Sequence, residues 1–188
     1  MRLFLGFGAG GAERNIYELC QRLSAPGALL PQPTLRWVPA ENWHVTLAFL
    51  GEVATSRLAN LTAALEPVAA SFPPLQLRLD HLQWFPAPTR ARMLVLAAST
   101  ADASDPLHEL QRQLVQALRV EGFHTERRAY RPHLTLARLR GAHKQFTPAP
   151  LPEIAPLSLE LAGLTLFESI STRGAPVYEP LQHFGLAA

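Results

Sequence analysis

The sequence predicts an α+β fold: two pseudo-symmetric lobes, each a small, mostly antiparallel sheet with helices on its outer face, around a central cleft that carries one His-x-Thr strand per lobe. Three observations lead there. A run at His44–Leu50, His-Val-Thr-Leu-Ala-Phe-Leu, returns as His-Leu-Thr-Leu-Ala-Arg-Leu at His133–Leu139, identical at five of seven positions and 89 residues later. Segments with helical spacing alternate with short segments of period two, in the order β-α-β-β-α-β and then β-α-β-β-β-β, with the repeated run as the fourth element of each half. Clusters of proline and glycine punctuate the series. The chain, 1–188, thus reads as a single bilobal domain with an internal duplication at 44–46 and 133–135.

Each element has its own warrant. Arg2 to Phe7 is an apolar strand, and Gly8, Gly10 and Gly11 mark a turn at its exit; they lack the Lys-Ser/Thr of a phosphate loop. Ile16, Leu19, Cys20 and Leu23 recur at i, i+3, i+4, i+7, as on one face of a helix. Pro26, Gly27, Pro31 and Pro33 make a loop, Leu35 to Val38 a short strand, and Gly51 closes the first His-x-Thr strand. Thr55 or Ser56 can cap a helix with Leu58, Leu61, Leu65 and Val68 on one face, ended by Pro73 and Pro74. Leu75, Leu77 and Leu79 alternate with polar residues, Trp84 to Thr89 is a turn, and Met93 to Ala98 an apolar strand. Ser104 is the expected cap of a third helix, with Asp105 and Pro106 in its first turn. Leu107, Leu110, Leu114 and Leu118 form its core face, and Gly122 stands at its end. Phe123 to Glu126 reads as short and extended before the second His-x-Thr strand. After a proline-rich loop from Thr147 to Pro156, strands are expected at Leu157–Leu161, Leu164–Ser169 and, past a turn at Arg173 and Gly174, Val177–Phe184.

Composition narrows the class. At 48% hydrophobic and 17% charged, the chain is globular and not disordered. No apolar segment approaches the roughly 20 residues that span a bilayer. Met1 to Gly8 reads as a buried strand and not a signal peptide, since Glu13 and Arg14 follow without a cleavage site. Cys20 is the sole cysteine, which forbids an internal disulfide and a thiolate metal cage and fits a reducing cytoplasm. A net charge of +2 is too small to mark a nucleic-acid protein. Yet Arg127, Arg128, Arg131, Arg138, Arg140 and Lys144 crowd the second motif, offering phosphate-suited donors or a solvated basic edge.

On a strand, residues i and i+2 share a face, so each motif presents an imidazole and a hydroxyl together and turns its aliphatic residues to the core. Two such faces across a cleft meet the needs of in-line displacement at phosphorus. One imidazole takes a proton from the nucleophile while the other gives one to the leaving oxygen. Hydroxyls of Thr46 and Thr135 can donate to the non-bridging oxygens. Two histidines fall short of a zinc site's usual third protein ligand, and no His-Glu-x-x-His helix occurs, so no metal and no cofactor is expected. His81, His108, His124, His143 and His183 lack any such context. Trp43, Phe7 and Tyr130 are candidates to stack on a base, with core packing as their default role.

These motifs resemble the two-histidine phosphoesterase superfamily, and within it the RNA 2',3'-cyclic phosphodiesterases, also called 2'-5' RNA ligases. The resemblance extends through Arg2-Leu3-Phe4, Arg36-Trp37-Val38, Glu41 to Gly51, Gly122-Phe123, Arg131 to Arg138 and Leu164 to Ser169. A glycine-rich Gly6 to Ala12 and Trp43 depart from the family pattern. The resemblance implies a two-lobed fold and metal-independent opening of a 2',3'-cyclic phosphate on RNA or a nucleotide to leave a 2'-phosphate. It casts His133 as the base, His44 as the acid, and Thr46, Thr135 and Arg138 as phosphate ligands. Simple alternation turns Arg138 away from His133, so that role requires a bulge or a strand end there. The expected partner is an RNA end or nucleotide bearing a 2',3'-cyclic phosphate, with no membrane and no obligate protein partner, for a cytoplasmic monomer. Alternatives are reversible 2'-5' ligation by the same groups, or a module that binds RNA ends without turnover.

Overall fold

The computed structural model describes residues 1–25, 35–100, 102, 104–139, 150–171 and 176–187. The loop at Pro26–Pro33, the cations Arg140 and Lys144, His143, and the turn at Arg173 and Gly174 lie outside the described residues. Twelve elements follow one another: β1 (Arg2–Gly8), α1 (Glu13–Ser24), β2 (Leu35–Trp37), β3 (His44–Glu52), α2 (Leu58–Ala69), β4 (Leu75–Phe85), β5 (Met93–Thr100), α3 (Pro106–Val120), β6 (His133–Leu139), β7 (Leu157–Leu161), β8 (Gly163–Ile170) and β9 (Val177–Gly185).

The strands run in the order β7-β4-β5-β6-β3-β1-β8-β9, with β2 attached to β6 off this path. Among the described residues, β3 and β6 share a single registered pair, Val45 with Leu134, so the sheet is two four-stranded sets that diverge from one seam. Counting outward from the seam, β3 corresponds to β6, β1 to β5, β8 to β4 and β9 to β7. The lobes are therefore not the two halves of the sequence. β4 turns back on β5 as an antiparallel hairpin and completes the set around β6, while β8 and β9 cross to β1 and complete the set around β3.

Alternation builds the core. Leu75, Leu77 and Leu79 of β4 are buried, and Gln76 and Arg78 between them are exposed. α2 brings Leu61 and Leu65, and α3 brings Leu107, Leu110, Leu114 and Leu118, all fully buried; each such leucine contributes about 1.5–3 kcal/mol of transfer free energy. The two helices pack on each other, and Gln111 of α3 donates from Nε2 to the carbonyl of Leu47 in β3 at 3.2 Å.

Several local expectations are corrected. The cap of α3 is Asp105, whose carboxylate accepts from the His108 backbone N–H, and not Ser104, whose own N–H donates to Asp102. Thr55 and Ser56 make no side-chain cap; they lie in a 3₁₀ turn, Thr55–Arg57, before α2. α2 includes Pro67 and stops at Ala69, ahead of Pro73. β4 continues through Trp84 to Phe85, because a bulge at Asp80 between the pairs Leu79–Ala98 and His81–Ala97 lets the ladder resume. Phe123 to Glu126 forms no strand, so the second His-x-Thr strand follows α3 directly in the series of elements.

Candidate active site

The seam sets the site. Continuing the Val45–Leu134 register by one residue either way places His44 across from Thr135 and His133 across from Thr46, all four on the face opposite the buried Val45 and Leu134. The expected two walls are thus neighbouring strands that splay from one shared pair. On the outer side of β3, Gly8 faces His44 and Gly6 faces Thr46. Gly6 cannot be larger: a Cβ there would lie 2.6 Å from the Val45 carbonyl oxygen.

Each imidazole is held the same way. His44 Nδ1 lies 2.7 Å from the Asn42 carbonyl oxygen, and His133 Nδ1 lies 2.6 Å from that of Arg131. A carbonyl only accepts, so Nδ1 carries the proton in both rings, and Nε2 is left free for chemistry. The Asn42 carbonyl is itself fixed, because the Asn42 amide donates to the Pro176 carbonyl at 2.8 Å. Around His44 stand Phe4, with ring centroids 4.8 Å apart, and Tyr178, edge-on at 4.9 Å. Around His133, the Phe85 ring stacks at 4.3 Å, and Arg131 lies over the other ring of that pair, 4.7 Å from the Phe85 centroid, while donating to the Pro86 carbonyl.

Both imidazoles titrate below the ordinary histidine value. Burial is the main cause at each; the carbonyl hydrogen bond opposes it. The Arg138 charge lowers both, joined by His133 at His44 and by Arg131 at His133. At neutral pH both rings are therefore uncharged in the free protein, each offering an Nε2 lone pair.

Arg138 reaches this face through a bulge. In the β5–β6 ladder Val95 pairs with Thr135 and Leu94 with Ala137, so Leu136 is passed over. The equivalent residue of β3, Leu47, is passed over between the pairs Gly6–Thr46 and Leu5–Ala48. Each bulge reverses the alternation beyond it: Leu47 with Ala48, and Leu136 with Ala137, are buried in succession, and Phe49 and Arg138 emerge on the histidine face. Thr46 has no hydrogen-bond partner among the described residues. Thr135 has only the Met93 sulfur, at 4.0 Å, and Arg138 donates to the same sulfur at 3.3 Å.

The structure brings His44, His133, Thr46, Thr135 and Arg138 together, with Arg131 beside His133. Arg127 and Arg128 line a groove along α3, of about 510 Å³. Trp43 and Phe7 are buried, as is the Tyr130 hydroxyl; Trp43 borders a pocket that His44, Phe167 and Tyr178 also line. His81 pairs with Asp80, His108 with Asp105, and His183 with Thr165. Burial pushes the Cys20 thiol up to about 12, which makes it a poor nucleophile. Among the described residues no group of three or more His, Cys, Asp or Glu could hold a metal ion, and no helix is long and apolar enough to cross a membrane. Sequence reasoning missed Phe4, Asn42, Phe85 and Tyr178. The one signal available was Asn42, a polar residue two positions before a motif histidine.

Comparison with known proteins gives this geometry a family. The family model of the 2'-5' RNA ligase superfamily matches residues 13–173. An RNA 2',3'-cyclic phosphodiesterase of Geobacillus stearothermophilus is 32% identical over 156 residues, 82% of this chain. The chain spans about half of that relative's length, 48%. One from Aeropyrum pernix is 30% identical over 157 residues, covering 78% of this chain and 84% of the relative. The crystal structure of E. coli LigT complexed with NADP+ superposes with a TM-score of 0.74 at 26% identity, over 100% of this chain and 98% of that one. The chain belongs to the 2'-5' RNA ligase superfamily, the two-histidine phosphoesterases.

Proposed function

We propose that the protein opens the 2',3'-cyclic phosphate of an RNA end or nucleotide by paired-histidine acid/base catalysis without a metal, leaving a 2'-phosphate. The observation that carries this reading is the pair of Nδ1-anchored imidazoles beside one arginine and two threonine hydroxyls, of which only Thr135 has a partner, the Met93 sulfur. Water attacks phosphorus in line while His133 Nε2 takes its proton; the bond from phosphorus to O3' breaks, and the proton on His44 Nε2 passes to O3'. Thr46, Thr135 and Arg138 donate to the non-bridging oxygens, whose charge grows in the transition state. His44 must be protonated to act, although burial and the Arg138 charge disfavour it. The bound phosphate supplies the remedy, because its negative charge offsets Arg138 and favours the imidazolium.

The deciding experiment is digestion of a nucleoside 2',3'-cyclic phosphate with and without EDTA, with the products resolved into 2' and 3' isomers. The 2' isomer at an undiminished rate is expected. A 3' product would reverse the assigned leaving group, and loss of the reaction on chelation would remove the metal-free mechanism. The family description names ligation, which is the same step with a 5'-hydroxyl in place of water as the nucleophile: a 5'-hydroxyl nucleoside added at high concentration would then trap a 2'-5' linkage. Recovery of unchanged cyclic phosphate would leave the binding-module reading instead.

A further inference from the structure

β2 pairs with β6 on the side from which β3 has departed, with Leu35 opposite Leu139, Arg36 opposite Arg138 and Trp37 opposite Ala137. Directly opposed residues of an antiparallel pair share a face, so Arg36 stands beside Arg138 on the cleft side. Burial agrees: Leu35 is buried, and Arg36 and Arg138 are both exposed. Like charges in that position repel and destabilise the ladder. Among the described residues neither arginine has a carboxylate partner; Arg138 touches the Met93 sulfur, and Arg36 makes no side-chain hydrogen bond or ion pair. The adjoining stretches of sequence, 26–34 and 140–149, contain no aspartate or glutamate, and the second adds Arg140 and Lys144. Two opposed guanidinium groups without an acid between them form a receptor for more than one negative charge.

A cyclic phosphate end carries a single negative charge, which the proposed chemistry assigns to Arg138. The only other phosphates of a substrate lie on its 5' side, along the strand. We propose that Arg36 binds the phosphodiester next to the cyclic end, so that this enzyme selects oligoribonucleotide ends over mononucleotides. The inference rests on the reaction proposed above. Backbones of directly opposed residues lie about 4.5–5.5 Å apart, and two long side chains diverging from that base can grip successive phosphates.

The test compares a dinucleotide ending in a 2',3'-cyclic phosphate with the matching mononucleoside 2',3'-cyclic phosphate. Arg36→Gln should lower the ratio of kcat/KM, dinucleotide over mononucleotide, about tenfold through KM, the range of one charge-assisted hydrogen bond, while Arg36→Lys keeps part of it. The salt dependence of log KM for the dinucleotide should flatten by about 0.7, the value for one phosphate on a single strand. An unchanged ratio in Arg36→Gln overturns the proposal, and so does a loss shared equally by both substrates, which would place Arg36 on the cyclic phosphate. If the native enzyme opened neither compound, the reaction itself would be refuted. Arg36 would then be judged by the same ratio taken from direct titration of the two ligands.

Discussion

The strands His44–Glu52 and His133–Leu139 carry nearly the same sequence, the same bulge and the same carbonyl anchor two residues before the histidine, yet they sit in different company. The His44 wall is aromatic, with Phe4 and Tyr178 against the imidazole and Phe49 exposed beyond the bulge. The His133 wall is cationic, with Arg131 over Phe85 and Arg138 where the first wall has Phe49. On the proposed mechanism the repeated strand supplies the proton-transfer groups, and its neighbours supply polarity. A symmetric pair could run the reaction in either direction across the cleft. On the proposed mechanism, the cations of one wall give the phosphate a side to lean on.

The largest effect tests what the walls have in common. His44→Ala and His133→Ala should each cost roughly 10²- to 10⁴-fold in the rate on a nucleoside 2',3'-cyclic phosphate, and the double variant little more, since the two act as a unit. A single variant retaining a tenth of the native rate would show that only one wall does chemistry.

The next effect tests the difference. Arg138→Ala should lower kcat/KM by about 10- to 100-fold, the range of hydrogen bonds to charged groups. Its charge holds down both imidazoles, so removing it raises both, and the acid and alkaline limbs of the pH–rate profile should both move to higher pH. Phe49→Ala carries no charge change and should leave the limbs in place. A fixed profile in Arg138→Ala would mean that the arginine does not act on the histidines.

Smaller, and more discriminating, are the hydroxyls. Thr46→Ala and Thr135→Ala should each cost about tenfold, the upper range of a neutral donor to an anion, with the larger loss at Thr135, on the wall that bears Arg138. The reverse order would orient the phosphate toward the aromatic wall.

The smallest effect is on stability. Both histidines bind protons more weakly in the folded chain than in the unfolded one, whose histidines titrate near 6.5. Below that pH the unfolded state takes up more protons, so stability is full at neutral pH and declines as pH falls through about 6.5. Thermal unfolding midpoints measured between pH 7.5 and 5.5 should drop in the native protein and drop less in H44Q/H133Q; parallel curves would contradict the assigned direction.

What could be read without coordinates was whatever depends on near neighbours in the chain. Periodicity placed the strands and helices, the duplicated His-x-Thr picked out residues that the structure brings to one seam, and a cleft role for Arg138 required a bulge or a strand end, of which the structure shows the bulge. Where the cues were weakest, the boundaries moved. The cap of α3 shifted one residue to Asp105, because a serine and an aspartate side by side offer equivalent acceptors and only the backbone geometry selects between them. β4 outran its polar alternation because a bulge at Asp80 restored its pairing with β5.

By itself, then, the sequence determined the faces as far as Leu47 and Leu136, since which side chains share a side of a strand follows from a two-residue repeat until a bulge against a partner strand interrupts it. Only the tertiary structure decided the pairings, since register between strands far apart in sequence is set by long-range packing and carries no local signature. That is why β4 lies in the lobe of the second motif, why Phe4, Phe85 and Tyr178 surround the histidines, and why Arg36 stands opposite Arg138.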